Sequence, residues 1–583
     1  MEESINEKYK KLNKGENFVI SKIFYSTDVD DCYFFMPDND CLTYFLNDLI
    51  LCLKNQINGD VSNKIHLHEM FEYFHSFLEN DYILSSIDSL AFSSLLLLVK
   101  DLKEGKDYNK KELLEKLEIY RNRYSNSYLY TVVKNITINI SDDNFQMEKV
   151  SDLLDLFINE LLARGYDIRF INKSAALFIN GRFASLDAFF DFFTRKDNIS
   201  CDIYLPIINY KTSNAAIFKA KDQEIIEKDG NYFLHVFQNN IIDYFSIIKK
   251  QMVRIDSIFN MLKLYSKSKI DFDFTKSILV KSYSPYLIDS EIPFEISFSS
   301  IINFEGLKCF SKFLDNTITN LESLSYRDEE TYHKILNIIA YAEKDNSIIN
   351  PSSYVDYWIS TESLYSLIAS CKGYEAVKNL LPKMLISKFL TNKSTFLLKK
   401  CYKDYMLEDF ISDATNGCAK KTFINNEFLK FEIKKLEKNL SSIKDLKCCF
   451  DSIEKLLRKD LLRIYLLRNE YVHQSNLSAF RSLQLFKVKN YLTISLDIFF
   501  GTLDDIINNS HYSGPNLMEK INSKISEKFE NRDNLFKITL ERHTYLNKTK
   551  QLTIKELDSK IELKDIIANI IFGRTCLTSK FYH

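Results

Sequence analysis

Glycine and proline are scarce in this sequence. Only 12 Gly and 7 Pro occur in 583 residues. Because these two residues are the strongest local breakers of regular structure, their scarcity predicts long elements with few interruptions, and helix is the natural expectation. The chain is also too long for one hydrophobic core, so we expect three or four domains. The predicted fold class is α+β, mainly helical, with a mixed α/β middle domain that contains a mixed sheet, and a C-terminal helical bundle.

The periodicity of the apolar residues divides the chain into four parts. We predict a mainly helical N-terminal domain over residues 1–125, an α/β domain over 126–310, a helical bundle over 311–510 and an accessory helical segment over 511–583. The predicted strands are Phe18–Phe24, Tyr128–Ile140, Asp167–Ile171, Ala176–Ile179, Cys201–Tyr210, Tyr232–Phe237 and Pro293–Phe298. The predicted helices include Cys41–Lys54, Lys111–Arg123, Val150–Leu162, Ile241–Leu264, Ser353–Ser370, Phe428–Leu440, Ile443–Val472, Ala479–Phe500, Leu517–Phe529 and Ile554–Phe572.

Composition restricts the class of protein. Hydrophobic residues make up 45% and charged residues 27%, which is typical of a folded soluble chain. The formal net charge of -2 argues against tight nonspecific binding of nucleic acid. The 11 cysteines include no CxxC pair, the N-terminus has no apolar signal region, and the apolar run Leu90–Val99 is too short to span a membrane. We therefore expect a cytoplasmic protein with no membrane partner.

One short stretch carries residues suited to RNA cleavage. Arg468, Asn469 and His473 lie within six consecutive positions at the end of a long amphipathic run. Cleaving RNA without a metal needs a base for the ribose 2′-OH, an acid for the leaving oxygen and positive charge for the phosphorane. Histidine can transfer protons near neutral pH, and arginine can bind phosphate oxygens with a planar fork. Asn469 would orient the phosphate or the imidazole.

Helix geometry limits how this motif can act. Five residues of a regular helix turn through about 500°, which leaves Arg468 and His473 about 140° apart. We therefore expect the helix to end just after His473, at Gln474-Ser475-Asn476. In that last turn the helix dipole would favour a protonated imidazole. Because the motif supplies one histidine, a complete acid–base pair suggests two copies of the motif at an interface.

A metal site near the N-terminus is an alternative interpretation. In a helix, His68, Glu72 and His75 share one face, and Glu72-x-x-His75 has the spacing of metal-binding bundles. A second pair with this spacing, Glu330 and His333, lies far along the chain. The opposing interpretation is that these are partly buried polar side chains on a Phe-rich helix.

Two further groups of charged residues have a simpler interpretation. Arg327 to His333 fits a looser form of the motif, but its three acidic residues would repel phosphate, so we interpret it as a solvated helix face. Arg164, Arg254 and the pair Lys249-Lys250 could bind phosphate. We interpret them as solvated surface charge.

The C-terminal part resembles a known superfamily. A helix with Tyr357-Trp358-Ile359-Ser360-Thr361-Glu362-Ser363-Leu364 precedes Ile464-Tyr465-Leu466-Leu467-Arg468-Asn469-Glu470-Tyr471-Val472-His473. This order resembles the HEPN superfamily, and most of all the ApeA-like HEPN domains of bacterial anti-phage proteins. The family hallmark is an Arg, a polar residue, a few spacers and a His, and Arg468, Asn469 and His473 match it. The resemblance covers roughly residues 345–510.

This resemblance implies a function. It implies a metal-independent endoribonuclease of an abortive-infection or toxin-like system, with catalytic residues Arg468, Asn469 and His473 and no cofactor. The implied partners are an RNA substrate such as transfer RNA, a second copy of the chain in a homodimer or higher homo-oligomer, and a phage-derived or nucleotide activator. We also hypothesise that the first two domains sense an invader component or hold the nuclease inactive. The alternative is a noncatalytic HEPN-type protein for RNA binding or dimerisation in a defence complex.

Overall fold

Helices dominate the part of the chain that the computed structural model describes, and its strands form one small antiparallel sheet. The described residues are 9, 11–28, 40–57, 64–124, 127–142, 144–194, 199–209, 223–266, 269–283, 289–293, 329–343, 351–369, 371–402, 405–418, 420, 422, 424–474, 482–509, 519–527, 530, 532–533, 564, 567–568 and 571. The predicted class, mainly helical α+β, is confirmed.

Helices make up almost all of the described residues in the first third of the chain. They are α1 (Lys14–Thr27), α2 (Leu42–Ile57), α3 (Lys64–Asn80), α4 (Tyr82–Ile87), α5 (Ser89–Lys103), α6 (Lys110–Tyr124), α7 (Ser127–Ile140), α8 (Met147–Ala163), α9 (Ile168–Ile179) and α10 (Leu186–Thr194). After the sheet come α11 (Tyr244–Ser266), α12 (Glu329–Glu343), α13 (Pro351–Ile368), α14 (Tyr374–Cys401), α15 (Leu407–Asn416), α16 (Glu427–Ser441), α17 (Ile443–Gln474) and α18 (Ser482–Asn509), with α11 lying between two of the strands.

The sheet lies in the middle of the chain. Its strands are β1 (Ile199–Ile208), β2 (Gln223–Lys228), β3 (Asn231–Ile241), β4 (Asp271–Phe272), β5 (Ser277–Ser282) and β6 (Ser290–Pro293). They are arranged in the order β2-β3-β1-β5-β6, and β4 also pairs with β1. Along β1, Cys201, Ile203 and Leu205 are fully buried and face the core. All of these pairs are antiparallel, so the mixed sheet that we predicted is wrong within the described residues.

Four predicted strands are helical in the structure. Phe18–Phe24 lies within α1, Tyr128–Ile140 within α7, and both Asp167–Ile171 and Ala176–Ile179 fall on α9 and its N-cap. The strands predicted at Cys201–Tyr210 and Tyr232–Phe237 are confirmed as β1 and β3, although Tyr210 lies outside the described residues. Of Pro293–Phe298 only Pro293 is described, at the end of β6.

The predicted helices agree well with the structure. Cys41–Lys54, Lys111–Arg123, Val150–Leu162, Ile241–Leu264, Ser353–Ser370, Phe428–Leu440 and Ile443–Val472 correspond to α2, α6, α8, α11, α13, α16 and α17. Ala479–Phe500 overlaps α18, and residues 519–527 are helical as predicted. Most of Ile554–Phe572 lies outside the described residues. Within the described ranges, no helix combines the length and apolar composition needed to cross a bilayer.

The helices before the sheet pack directly on helices near the C-terminus. The buried apolar side chains of the described residues join in one connected cluster that runs from α1 to α18. Asn17 of α1 illustrates the polar part of this packing: its amide donates to the carbonyl of Asn425 at 2.9 Å and accepts from the N–H of Glu427 at 3.0 Å. These contacts cross the boundaries predicted at residues 125 and 310. The division into four domains stays a prediction.

Candidate functional site

The motif lies at the end of α17, a helix of 32 residues. The helix begins after Ser442, whose side-chain oxygen accepts the N–H of Asp445 at 3.1 Å, as an N-cap residue does. The helix is described as far as Gln474, so the backbone of His473 lies in its last described turn, and the predicted end just after His473 stays a prediction. The His473 side chain lies outside the described residues, as does the expected break at Ser475-Asn476.

Arg468 and Asn469 form a rigid pair next to each other in the helix. The Arg468 guanidinium donates from Nη1 to the Asn469 side-chain oxygen at 3.0 Å. Asn469 is 2% exposed, so the acceptor itself is held in place by its surroundings. The Nε atom of Arg468 is buried and has no hydrogen-bond partner in the described part of the chain. The guanidinium is therefore oriented by Asn469, on a side chain that is only partly buried as a whole.

Glu362 of α13 lies close to this pair. Burial raises the pKa of its carboxyl above the ordinary value, and the Trp358 indole and the charge of Arg468 both oppose this rise. The indole N–H of Trp358 has no partner within hydrogen-bond geometry among the described residues, so we regard its contact with the carboxylate as a loose one. An arginine and a carboxyl from two helices thus share one partly buried environment.

Four aromatic rings from four helices pack beside this turn of α17. Tyr465 of α17 is stacked on Tyr374 of α14, with ring centroids 4.4 Å apart, and Trp358 lies 6.0 Å from Tyr465. The fourth ring is His66 of α3, whose centroid is 4.9 Å from that of Tyr465 and 5.0 Å from that of Tyr374. We call His66, Trp358, Tyr374 and Tyr465 the four-ring cluster. It brings a side chain from the N-terminal helices to the turn before Arg468.

Ion pairs join the same helices on the N-terminal side of the cluster. Arg463 of α17 is buried, donates from Nε to Asp48 of α2 at 3.0 Å and lies over the rings of Tyr44 and Phe45. Lys459 of α17 bonds to Asp40. Since buried ion pairs need this close geometry to offset the loss of hydration, the contact between α2 and α17 is a specific one.

A third ion pair lies next to His66. Lys378 of α14 bonds to Glu69 of α3, one turn after His66. Burial lowers the pKa of His66, an effect that Glu69 opposes. The histidine ring therefore packs as a neutral aromatic side chain, with the ion pair of Glu69 and Lys378 beside it.

The other groups of charged residues are scattered or paired on their own helices. His68 pairs with Glu72 at 3.6 Å, and His75 pairs with Glu79 at 3.4 Å, all on α3. Among the described residues, no three His, Cys, Asp or Glu side chains gather closely enough to hold a metal ion. The arrangement therefore gives no support to a metal site at His68, Glu72 and His75.

The second Glu-x-x-His string is a surface feature. Glu330 bonds to Lys334 and His333 pairs with Glu329 at 3.7 Å on an exposed face of α12, as a solvated helix face requires. Arg327 and the side chain of Lys249 lie outside the described residues. Lys250 and Arg254 are exposed as predicted, but the interpretation of Arg164 as solvated charge is wrong, because its side chain is largely buried and pairs with the fully buried Glu160 at 3.5 Å.

Sequence reasoning found the local part of this site and missed the long-range part. The motif and Glu362 were visible in the sequence, whereas the roles of His66, Tyr374 and the acidic partners of Arg463 were not. A ring contact between residues 66 and 465 has no local sequence signal, because apolar spacing predicts which face of a helix is buried but not what covers it.

No model of a known protein family, no curated protein sequence and no solved structure matches this chain.

Proposed function

We propose that this protein is a metal-independent endoribonuclease of a bacterial anti-phage system, acting in an abortive-infection or toxin-like manner. In this proposal Arg468, Asn469 and His473 carry the reaction. The observation that supports it best is the state of Arg468: its guanidinium is oriented by a hydrogen bond to Asn469 and is only partly buried, close to the last described turn of α17.

The proposed chemistry follows from these groups. Arg468 donates hydrogen bonds to the nonbridging oxygens of the scissile phosphate and stabilises the charge that develops in the phosphorane. His473 takes the proton of the ribose 2′-OH or returns one to the leaving 5′-oxygen. Asn469 holds the guanidinium in the orientation that the phosphate needs. No metal ion enters this scheme.

One motif supplies one histidine, and the reaction needs both a base and an acid. We therefore propose that the site is composite and forms where two copies of the chain meet, so that His473 of each copy serves one of the two roles. The substrate in this proposal is RNA, with transfer RNA as one form, and a phage-derived or nucleotide activator would trigger the assembly. Nothing in the proposal requires a membrane.

The decisive experiment compares cleavage by matched variants in the presence of EDTA. Labelled RNA is incubated with the wild-type chain, Arg468→Ala, His473→Ala and the control His68→Ala, with and without extract from phage-infected cells as the source of activator. We expect the wild type and His68→Ala to cleave RNA. The cleavage rate of Arg468→Ala and of His473→Ala should be about 10²- to 10⁴-fold lower, the range typical of a positioned acid or base.

Melting temperatures of the same variants separate chemistry from folding. Polar substitutions near a helix end cost little stability, so Arg468→Ala and His473→Ala should melt close to the wild type. A large fall in melting temperature would show that these residues are structural. If wild type and His473→Ala give the same RNA pattern with activator present, the nuclease proposal is wrong, and a noncatalytic role in RNA binding or dimerisation replaces it.

A further inference from the structure

His66 of α3 brings the N-terminal helices into contact with Tyr465, one helical turn before Arg468. It is buried, and its ring meets Tyr374 nearly at a right angle and Tyr465 at 65°, both at about edge-to-face distance. His68, two residues later on α3, is half exposed and pairs only with Glu72 on its own helix among the described residues. Two histidines of one helix thus have opposite surroundings, and only His66 faces the C-terminal helices.

The four-ring cluster leads from His66 to the candidate site in two contacts. His66 packs on Tyr465, and Tyr465 is one helical turn before Arg468 on α17. Tyr465 also lies near Trp358, which is one turn before Glu362 on α13. Residues three or four apart in a helix lie on the same side, so a shift of Tyr465 and Trp358 moves Arg468 and Glu362 with them.

The polar atoms of the four-ring cluster indicate that its rings do more than bury apolar surface: they also fix the positions of the helices that carry them. His66 Nδ1, Trp358 Nε1 and the Tyr374 hydroxyl are all buried and have no hydrogen-bond partners among the described residues. Leaving a buried polar atom unpaired is unfavourable, so apolar rings would fill the same space more favourably. The neighbouring contacts of Glu69 with Lys378 and of Asp48 with Arg463 hold α2 and α3 in place despite this cost.

We infer that His66 is a positioning residue of the Arg468 site, acting through Tyr465 and Trp358, so that the N-terminal helices α2 and α3 are part of the functional unit. This inference rests on the proposed function for its effect on cleavage. The packing itself can be tested without RNA, because His66 contacts Tyr374 and Tyr465 and both of these rings lie near Trp358.

The chain contains a single tryptophan, and it is Trp358. Its fluorescence therefore reports on the four-ring cluster alone. We expect His66→Ala to shift the emission to longer wavelength and to increase quenching by acrylamide, because the lost ring opens the cluster to water. His66→Phe keeps an aromatic ring and should leave both signals near those of the wild type, and His68→Ala should change neither.

Cleavage kinetics test whether the cluster positions the site. With a cleaving wild type, His66→Ala should lower kcat about tenfold or more with KM nearly unchanged, because the RNA still binds while Arg468 is misplaced. His66→Phe should restore kcat. If His66 were purely structural, His66→Ala would lower the melting temperature but would not lower kcat at an unchanged KM.

A second pair of variants covers the case in which His66→Ala does not fold. Glu69→Lys should disturb Trp358 emission and kcat, and Glu69→Lys combined with Lys378→Glu should restore both, because the swap rebuilds the ion pair beside His66. The inference is overturned if these variants leave Trp358 emission at the value of His68→Ala, or if emission changes while kcat of an active enzyme does not. A wild type that cleaves no RNA refutes the proposed function, whereas unchanged emission refutes the packing of His66 itself.

Discussion

The contact between Arg468 and Asn469 gives the most specific prediction about the site. The acceptor is an amide oxygen 3.0 Å from Nη1, on a side chain that is 2% exposed. Hydrogen bonds to charged groups contribute about 1.5–3 kcal/mol. If this energy serves to orient Arg468 in the transition state, Asn469→Ala should lower kcat/KM by about 10- to 150-fold, since about 1.4 kcal/mol corresponds to a factor of ten.

Asn469→Asp distinguishes orientation from charge. An aspartate keeps the shape and the acceptor and binds the guanidinium at least as firmly, but its negative charge offsets the charge that Arg468 offers to the phosphate. We therefore expect Asn469→Asp to cleave more slowly than Asn469→Ala. If orientation alone mattered, Asn469→Asp would be the faster of the two.

A double-mutant cycle completes the assay. Because Asn469 is argued to act only through Arg468, Asn469→Ala should have almost no further effect in the Arg468→Ala background. The measurement is kcat/KM for labelled RNA with EDTA and activator present, with melting temperature recorded for each variant. The reasoning fails if Asn469→Ala cleaves within about twofold of the wild type, or if the two substitutions multiply in their effects.

Two predictions concern the scaffold. Burial raises the pKa of Asp81 from 3.8 to about 6. The folded state therefore holds this proton more tightly, and a contribution of about 3 kcal/mol is present below about pH 4 and lost as pH rises through about 6. Asp81→Asn should remove this dependence in melting curves between pH 4 and 7.5. Asp88→Asn should instead lower the melting temperature by a similar amount across this range, because the backbone N–H of Ala91 lowers the pKa of Asp88 and the contribution of this N-cap is lost only at more acidic pH. Gly165 has φ +97, a conformation that side chains disfavour, so Gly165→Ala should lower the free energy of unfolding by about 1–2 kcal/mol. Gly501 lies within a helix with open space around it, so Gly501→Ala should be neutral or stabilising. Equal melting temperatures for the two variants would contradict this reasoning.

The helix pattern was predictable because it is local. The long amphipathic runs at residues 41–54, 150–162 and 443–472 appear as helices close to the expected bounds. The errors came from reading β-branched and aromatic content as strand. In α7 the buried residues are Tyr128, Leu129, Val132 and Ile136, which follow helical spacing although the composition favours strand. Composition is a weak guide to strand, because burial and packing decide the outcome.

Two of these errors had a visible signal in the sequence. Asn13 and Glu16 form a capping box at the start of α1, with the Asn13 side chain accepting the N–H of Glu16 at 2.8 Å. An Asn followed three residues later by Glu before an apolar run indicates a helix start. Asp167 likewise caps α9 by accepting the N–H of Arg169 at 3.0 Å. In these two segments, cap residues are a better guide to helix than the strand preference of the side chains.

The candidate site likewise has a local part that the sequence predicts and a long-range part that it does not. Arg468 and Asn469 are neighbours in one helix, so spacing alone could predict their relation. Glu362 and His66 reach the site from other helices, and the sequence holds no measure of which buried faces meet. The burial of Arg463 between Asp48 and two aromatic rings of α2 shows why this matters. Removing α2 would take away both the Asp48 carboxylate and the rings that cover Arg463, and even the loss of Asp48 alone, as one partner of a buried pair, costs about 3–5 kcal/mol. The helix that carries the site thus depends for its stability on residues more than 400 positions earlier, so a C-terminal fragment is a poor substitute for the whole chain in any test of activity.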